Sequence, residues 1–174
     1  RTTVLLLLIT AVILSGLGAG DMRNLAPEVW VQLRLPRVLL AAFTGASLAL
    51  AGLLLQDFFR NPLVEPGLLG VSAGAGLGAV LVISLGLGGL WLLPLSAFAG
   101  ALGTLGLILL IGRQLSGNNA ELLLAGVAIN SLAGALVSLL LSIGDATALR
   151  SATFWLMGSF TLAEWPLLLT GWVV

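Results

Sequence analysis

Between Pro66 and Gly112 lie 47 residues without a charged side chain. Drawn out as one helix at about 1.5 Å per residue, that run would reach about 70 Å, more than twice the roughly 30 Å hydrocarbon core of a bilayer. In lipid every backbone N–H and C=O must be satisfied inside helices or a closed barrel, so the run predicts two helices folded back on one another. The break is expected near Gly86, Gly88, Gly89 and Pro94, where clustered glycine weakens a helix and Pro94 suits a first helical turn.

Composition places the whole chain in the same solvent. Of 174 residues, 59% are hydrophobic and 8% charged, against about 25% charged in a soluble domain, too few to clothe a globule in water. Seven Arg offset seven Asp and Glu, and Lys is absent, so no field is available to gather a nucleic acid. Without His or Cys there is no disulfide, no zinc site of the usual ligands and no thiolate or imidazole chemistry. No cofactor is expected, and most enzyme readings fall away with those side chains. The 23 glycines point to close helix packing.

The predicted fold is all-α: a polytopic transmembrane helical bundle with spans at 2–20, 36–56, 67–86, 93–112 and 121–144, a short re-entrant or surface helix at 151–160, and the start of a sixth span at 165–174. Polar loops are expected around Asp21, Arg23, Pro27 and Glu28, and from Asp145 to Arg150. An apolar piece as short as 151–160 cannot cross. The abrupt ends read as the front part of a longer membrane domain. The alternative for the first run alone is a secretory signal peptide, since Arg1, an apolar stretch and small residues at Gly18, Ala19 and Gly20 imitate one.

Charges fall at span ends, as expected when a central Arg or Asp costs about 2.5 to 3.5 kcal/mol. Orientation stays open: alternating spans place Arg1, Arg60 and Arg113 on one side and Arg23, Arg34, Arg37 and Arg150 on the other. In the run Arg34-Leu35-Pro36-Arg37, Pro36 is expected to open a helix, with two cations at the positive end of its dipole. That is mildly unfavourable. Either the two side chains snorkel to lipid phosphates, or their guanidinium forks meet the carboxylates of a partner.

Gln56 to Gly67 combines charges, two prolines and a glycine between spans and predicts a structured reversal, with Asn61, Pro62, Glu65 and Pro66 as its turn residues. Gly70, Gly74 and Gly78 recur every four residues, the spacing that lets helix backbones approach in membranes. Gly126, with Ala133 and Gly134, gives the fifth span a similarly smooth side. The run Gly74 to Gly78 has neither a preceding strand nor a following Lys, so a phosphate loop is not expected. Asn130, beside Ser131, falls mid-span, where an amide needs either an interhelical partner or a watery route. No span carries an interior Asp or Glu, which disfavours a proton-driven carrier.

The order of motifs resembles one family, the permease subunits of type II ABC importers for iron-siderophore, haem or cobalamin. The resemblance rests on five blocks: Arg34 to Arg37; Gly45-Ala46-Ser47-Leu48-Ala49-Leu50-Ala51-Gly52 with Gln56; Asn61 to Ala75; Leu122 to Ala128; and Phe154 to Phe160. It implies the N-terminal half of a ten-span permease, translocating an iron chelate or a related large chelate across a bacterial or archaeal inner membrane. It also implies a cytoplasmic N-terminus, and so Arg34 and Arg37 on the outer face for docking of an extracytoplasmic solute-binding protein. Asn130 and Ser131 would border the translocation path, Asn61 to Gly67 would lie near the cytoplasmic face, and Gly45 and Gly52 would join the packing glycines. The implied partners are a second permease copy, two ATP-binding subunits that hydrolyse ATP, and the bilayer. A secondary carrier without an ATPase and a structural membrane half-domain are the alternatives.

Overall fold

The computed structural model describes residues 27–87, 89, 91–114, 119–161, 163 and 165. The predicted span 2–20, and the piece 165–174 beyond Trp165, lie outside the described residues. Helices account for nearly all of the described chain and no strand occurs in it. The protein is an all-α bundle of apolar helices. Three helices among the described residues, Trp30–Phe59, Leu92–Gln114 and Asn119–Ile143, are long and apolar enough to cross a membrane.

The helical path begins at Pro27 with one turn, Pro27–Val29, passes through a π-helical turn, Trp30–Arg34, and continues as α1, Leu35–Phe59. Pro36 therefore does not open a helix, and Pro27 and Glu28 are not in a loop. Pro27 takes the first helical position, where no intrahelical N–H partner is needed, and Glu28 sits in the first turn, where a carboxylate suits the dipole. The π-turn is the adjustment that lets the helix pass a proline. Within it the Leu35 N–H donates to the Trp30 carbonyl, five residues back.

At the other end of α1 the Arg60 N–H donates to the Asp57 carbonyl (3.1 Å) and the Asn61 N–H to the Gln56 carbonyl (3.0 Å). That is the double closure of a Schellman motif, with Arg60 holding the left-handed position at φ 50°. Asn61 Oδ1 then accepts from the Leu63 N–H (3.0 Å), and Gln56 Nε2 donates to the Val64 carbonyl (3.4 Å). The reversal drives Val64 inward, where it packs with Phe59, Leu69, Ile108 and Ile129 in the buried core.

A 3-10 turn, Pro66–Leu69, leads to Gly70 at φ 69° and then to α2, Val71–Ser84. The expected single span over 67–86 is thus two pieces, and α2 alone is too short to cross. Pro66 starts the tight turn, and the left-handed Gly70 interrupts the helical hydrogen-bond ladder before α2 begins. After Gly86, at φ 66°, the chain turns into α3, Leu92–Gln114, with Pro94 in its first turn. α4 spans Asn119–Ile143 and α5 spans Ala146–Met157. The segment from Asp145 to Arg150 is therefore not a loop. Asp145 is the N-cap of α5, its carboxylate accepting from the Ala148 N–H (2.6 Å), and Gly158 at φ 73° ends it.

The described residues fall into two compact units, one up to Ala49 together with those from Ser159 onward, the other Leu50–Gly158. In the second unit α2 is central: it packs against α3, α4 and α5. Glycine makes this possible. A Cβ at Gly78 would meet the Ser96 carbonyl, one at Gly100 the Gly74 carbonyl, and one at Gly74 the Thr104 side chain and the Gly100 carbonyl. The 3-10 turn nests on α4, where a Cβ at Gly126 would come within 2.6 Å of the Leu68 carbonyl oxygen.

Candidate docking and translocation elements

In the first unit the two arginines stand in the π-turn and the first turn of α1, about two turns from the true helix start at Pro27. The predicted dipole penalty does not apply to them, because that field fades within the first turn. The wide turn spaces the two side chains differently. The Arg34 guanidinium lies over the Trp30 ring, 4.9 Å from its centroid, a cation–π contact worth about 0.5–1 kcal/mol at an exposed site. Arg37 instead reaches 124 residues along the sequence and donates from Nη2 to the Thr161 carbonyl (3.1 Å). Pro36 between them is fully buried.

A second long-range bond lies beside the first. Trp165 Nε1 donates to the Val31 carbonyl at 2.9 Å. Ala163, between the two tethered residues, is only 3% exposed. The side chains of Ser159 and Thr161 are hydrogen-bonded to each other, and the Thr161 N–H donates to Ser159 Oγ (3.1 Å), so the segment is ordered locally as well.

In the second unit Asn130 and Ser131 are both exposed on α4. Ser131 Oγ donates to the Val127 carbonyl of its own helix (3.0 Å). The Asn130 backbone faces the left-handed Gly70, whose Cβ would approach its nitrogen to 3.3 Å. Its side-chain amide makes no hydrogen bond with another described residue, so the expected interhelical partner is not found among them. A groove of about 440 Å³, lined by Ile111, Glu121, Leu124, Ala125, Ala128, Ile129 and Leu132, lies on the other side of α4, about half a turn around the helix from Asn130.

The sequence pattern of the FecCD transport family matches residues 2–174. The chain belongs to the FecCD transport family. It is 46% identical over 147 residues to the hemin transport system permease protein HmuU of Yersinia pestis, covering 82% of this chain and 44% of that protein. It is 45% identical over 139 residues to the vitamin B12 import system permease protein BtuC of Photorhabdus laumondii, covering 79% of this chain and 41% of that one. A solved structure described as an inward-facing conformation of a metal-chelate type ABC transporter superposes with a TM-score of 0.85 at 40% identity. The match covers 97% of this chain and 56% of that one. The chain thus spans less than half the length of the two FecCD relatives, and it matches the N-terminal portion of the permease.

Of the glycines singled out in the sequence, Gly70, Gly74, Gly78 and Gly126 lie at close backbone approaches. Gly45 and Gly52 have nothing within 4 Å among the described residues, and all ten residues from Ala41 to Leu50 are exposed. Sequence reasoning missed Gly100 and Gly112. The first had a signal, since Ser96, Gly100 and Thr104 repeat the small-residue spacing of four. It also missed Trp165, the indole donor to Val31, because nothing local marks its partner.

Proposed function

We propose that a permease carrying this sequence is the membrane subunit of an ATP-driven importer for a large metal chelate, an iron–siderophore, haem or cobalamin, in a bacterial inner membrane. The observation that carries the proposal is the 0.85 superposition on an ABC transporter across 97% of the chain, with relatives named for hemin and vitamin B12 import. Two copies of the permease enclose the passage, since a bundle closed by glycine contacts leaves no internal room for a chelate. Two ATP-binding subunits supply the energy, and an extracytoplasmic solute-binding protein delivers the cargo. Arg34 and Arg37 lie on the outer face and receive that protein's carboxylates, because a guanidinium fork matches a carboxylate in two parallel bonds. Asn130 and Ser131 border the passage: an exposed amide on an apolar helix is tolerated where water or a polar neighbour meets it. Asn61, Pro62, Glu65 and Pro66 form the turn on the cytoplasmic side.

The test is uptake by proteoliposomes containing the permease, at the length of its relatives, with its ATPase and binding protein. Ferric siderophore, haemin and cobalamin are offered in turn. Uptake of one of them that requires both ATP inside and the binding protein outside is expected. Uptake driven by an ion gradient through the permease alone would overturn the proposal in favour of a secondary carrier.

A further inference from the structure

α5 turns back into the bundle. Gly78 and Gly74 of α2 meet Ser96 and Gly100 of α3, and Gly112 near the end of α3 meets Leu122 near the start of α4. α2 and α4 thus both run antiparallel to α3 and parallel to each other. They share a level where Gly70 approaches the Asn130 nitrogen. From there α4 continues from Asn130 to Ile143, about 20 Å, while Gly76 lies only about 9 Å along α2. Yet Leu156, in the last turn of α5, comes within 3.2 Å of where a Cβ of Gly76 would stand. α5 therefore starts at the end of α4, and its last turn reaches a level about 10 Å back. There Gly158, at φ 73°, breaks the helix and stands exposed. Inside a membrane, backbone at a broken helix end is tolerated only where protein covers it or a water-filled cavity meets it.

The two sides of α5 differ. Ala148, Ala152 and Trp155 form its covered side, with Ala152 fully buried. About half a turn around stand Arg150, Phe154 and Met157, one below the other at helical spacing. All three are exposed, Phe154 by 63% and Met157 by 68%, and the Arg150 guanidinium has no hydrogen bond or ion pair with another described residue. We propose that this side of α5 is a cargo contact at the outer mouth of the passage, fitted to a metal chelate whose ligand carries aromatic rings and anionic oxygens. The proposal rests on the importer function given above and narrows its cargo. A free cation on a helix that re-enters the membrane belongs beside water rather than hydrocarbon. Its planar fork accepts a pair of anionic oxygens in two parallel bonds. Phe154, one turn deeper, offers a face for offset stacking of a ring, and the Met157 thioether offers a soft, polarisable contact at a ring edge. Haem, with carboxylates on a planar macrocycle, and a ferric catecholate, with anionic aromatic rings, share this chemistry. A neutral ferric hydroxamate has neither feature, and cobalamin carries neutral amides in place of carboxylates.

The experiment uses the permease at the length of its relatives, assembled with its ATP-binding subunits and binding protein in proteoliposomes. Met157→Cys, with any other Cys replaced, is treated from the binding-protein side with a charged, membrane-impermeant thiosulfonate. Reaction at least about tenfold faster than at Leu139→Cys is expected, because the thiolate forms beside water. Reaction no faster than at Leu139→Cys would put this side of α5 against lipid and overturn the proposal. Uptake of haemin, a ferric catecholate, a neutral ferric hydroxamate and cobalamin is then measured in complexes recovered at the parental yield. Transport of haemin or of the catecholate is expected, and which of the two is carried tells the sources apart. Arg150→Gln is expected to lower that uptake about tenfold, the loss of a charge-assisted hydrogen bond, and Arg150→Lys, which keeps the charge without the fork, to lower it less. Phe154→Leu is expected to lower it about fivefold and Phe154→Trp to preserve it. Uptake of the hydroxamate or cobalamin alone, dependent on ATP and the binding protein and insensitive to Arg150→Gln, would overturn the cargo contact and leave the importer standing. Uptake of haemin driven by an ion gradient through the permease alone, yet lowered by Arg150→Gln, would keep the cargo contact and end the importer.

Discussion

At single positions the decisive variable is what a side chain would meet. Gly100 faces the Gly74 carbonyl and Gly78 the Ser96 carbonyl, both rigid backbone, whereas Gly106 and Gly134 have open space within 4 Å among the described residues. Gly100→Ala and Gly78→Ala are each expected to destabilise the bundle by about 1–3 kcal/mol through overpacking. Gly106→Ala is expected to be neutral or to stabilise by up to about 1 kcal/mol, the intrinsic helix preference of Ala. Thermal unfolding in detergent separates the two classes. Equal midpoints for Gly100→Ala and Gly106→Ala would mean that the two helices do not touch there. Arg60 gives the opposite case. It occupies the left-handed position of the α1 closure, which disfavours a residue with a Cβ by about 1–2 kcal/mol. Arg60→Gly should therefore raise the midpoint, and a drop would show that its side chain contributes more than the backbone strain removes.

Among elements, what could be read from the sequence and what could not differ for physical reasons. The break in the 47-residue run was legible because length against bilayer thickness leaves no choice, and α3, Leu92–Gln114, begins within a residue of the expected 93. The start of α5 was misplaced by five residues because Asp145 was read as a loop charge, although an Asp before a helical run is a capping signal. Asp145→Ala should then destabilise the first turn of α5 by about 1 kcal/mol. Faster amide exchange over Thr147 to Leu149, with α4 unaffected, would be the mark. The π-turn was not legible. A proline opening a helix and a proline passed by a π-turn look alike locally, and what distinguishes them, the helical start at Pro27, lies nine residues upstream. The bond from Trp165 to Val31 was out of reach altogether, since it joins positions separated by 134 residues.

For the molecule as a whole, the question left by exposure is which apolar surface meets lipid and which meets water. Asn130 and Leu139 are both exposed on α4, yet nine residues is about two and a half turns, which puts them on opposite sides of the helix. An amide that borders a passage sits beside water, and a leucine on the opposite side sits in hydrocarbon. Thiol reactivity separates the two cases, because the thiolate is the reacting form and ionisation needs a polar surrounding. In the reconstituted complex, Asn130→Cys is expected to react with a charged, membrane-impermeant thiosulfonate at least about tenfold faster than Leu139→Cys. Pre-reaction should block uptake through the first variant and spare the second. The signs follow from the same principle: a mid-membrane position answers a charged reagent only if a water path leads to it. Should Leu139→Cys react as fast as Asn130→Cys, the passage would not be confined to the amide side of α4. Should neither react while uptake proceeds, Asn130 would be turned toward another helix, and its amide would be explained by interhelical hydrogen bonding rather than by transport.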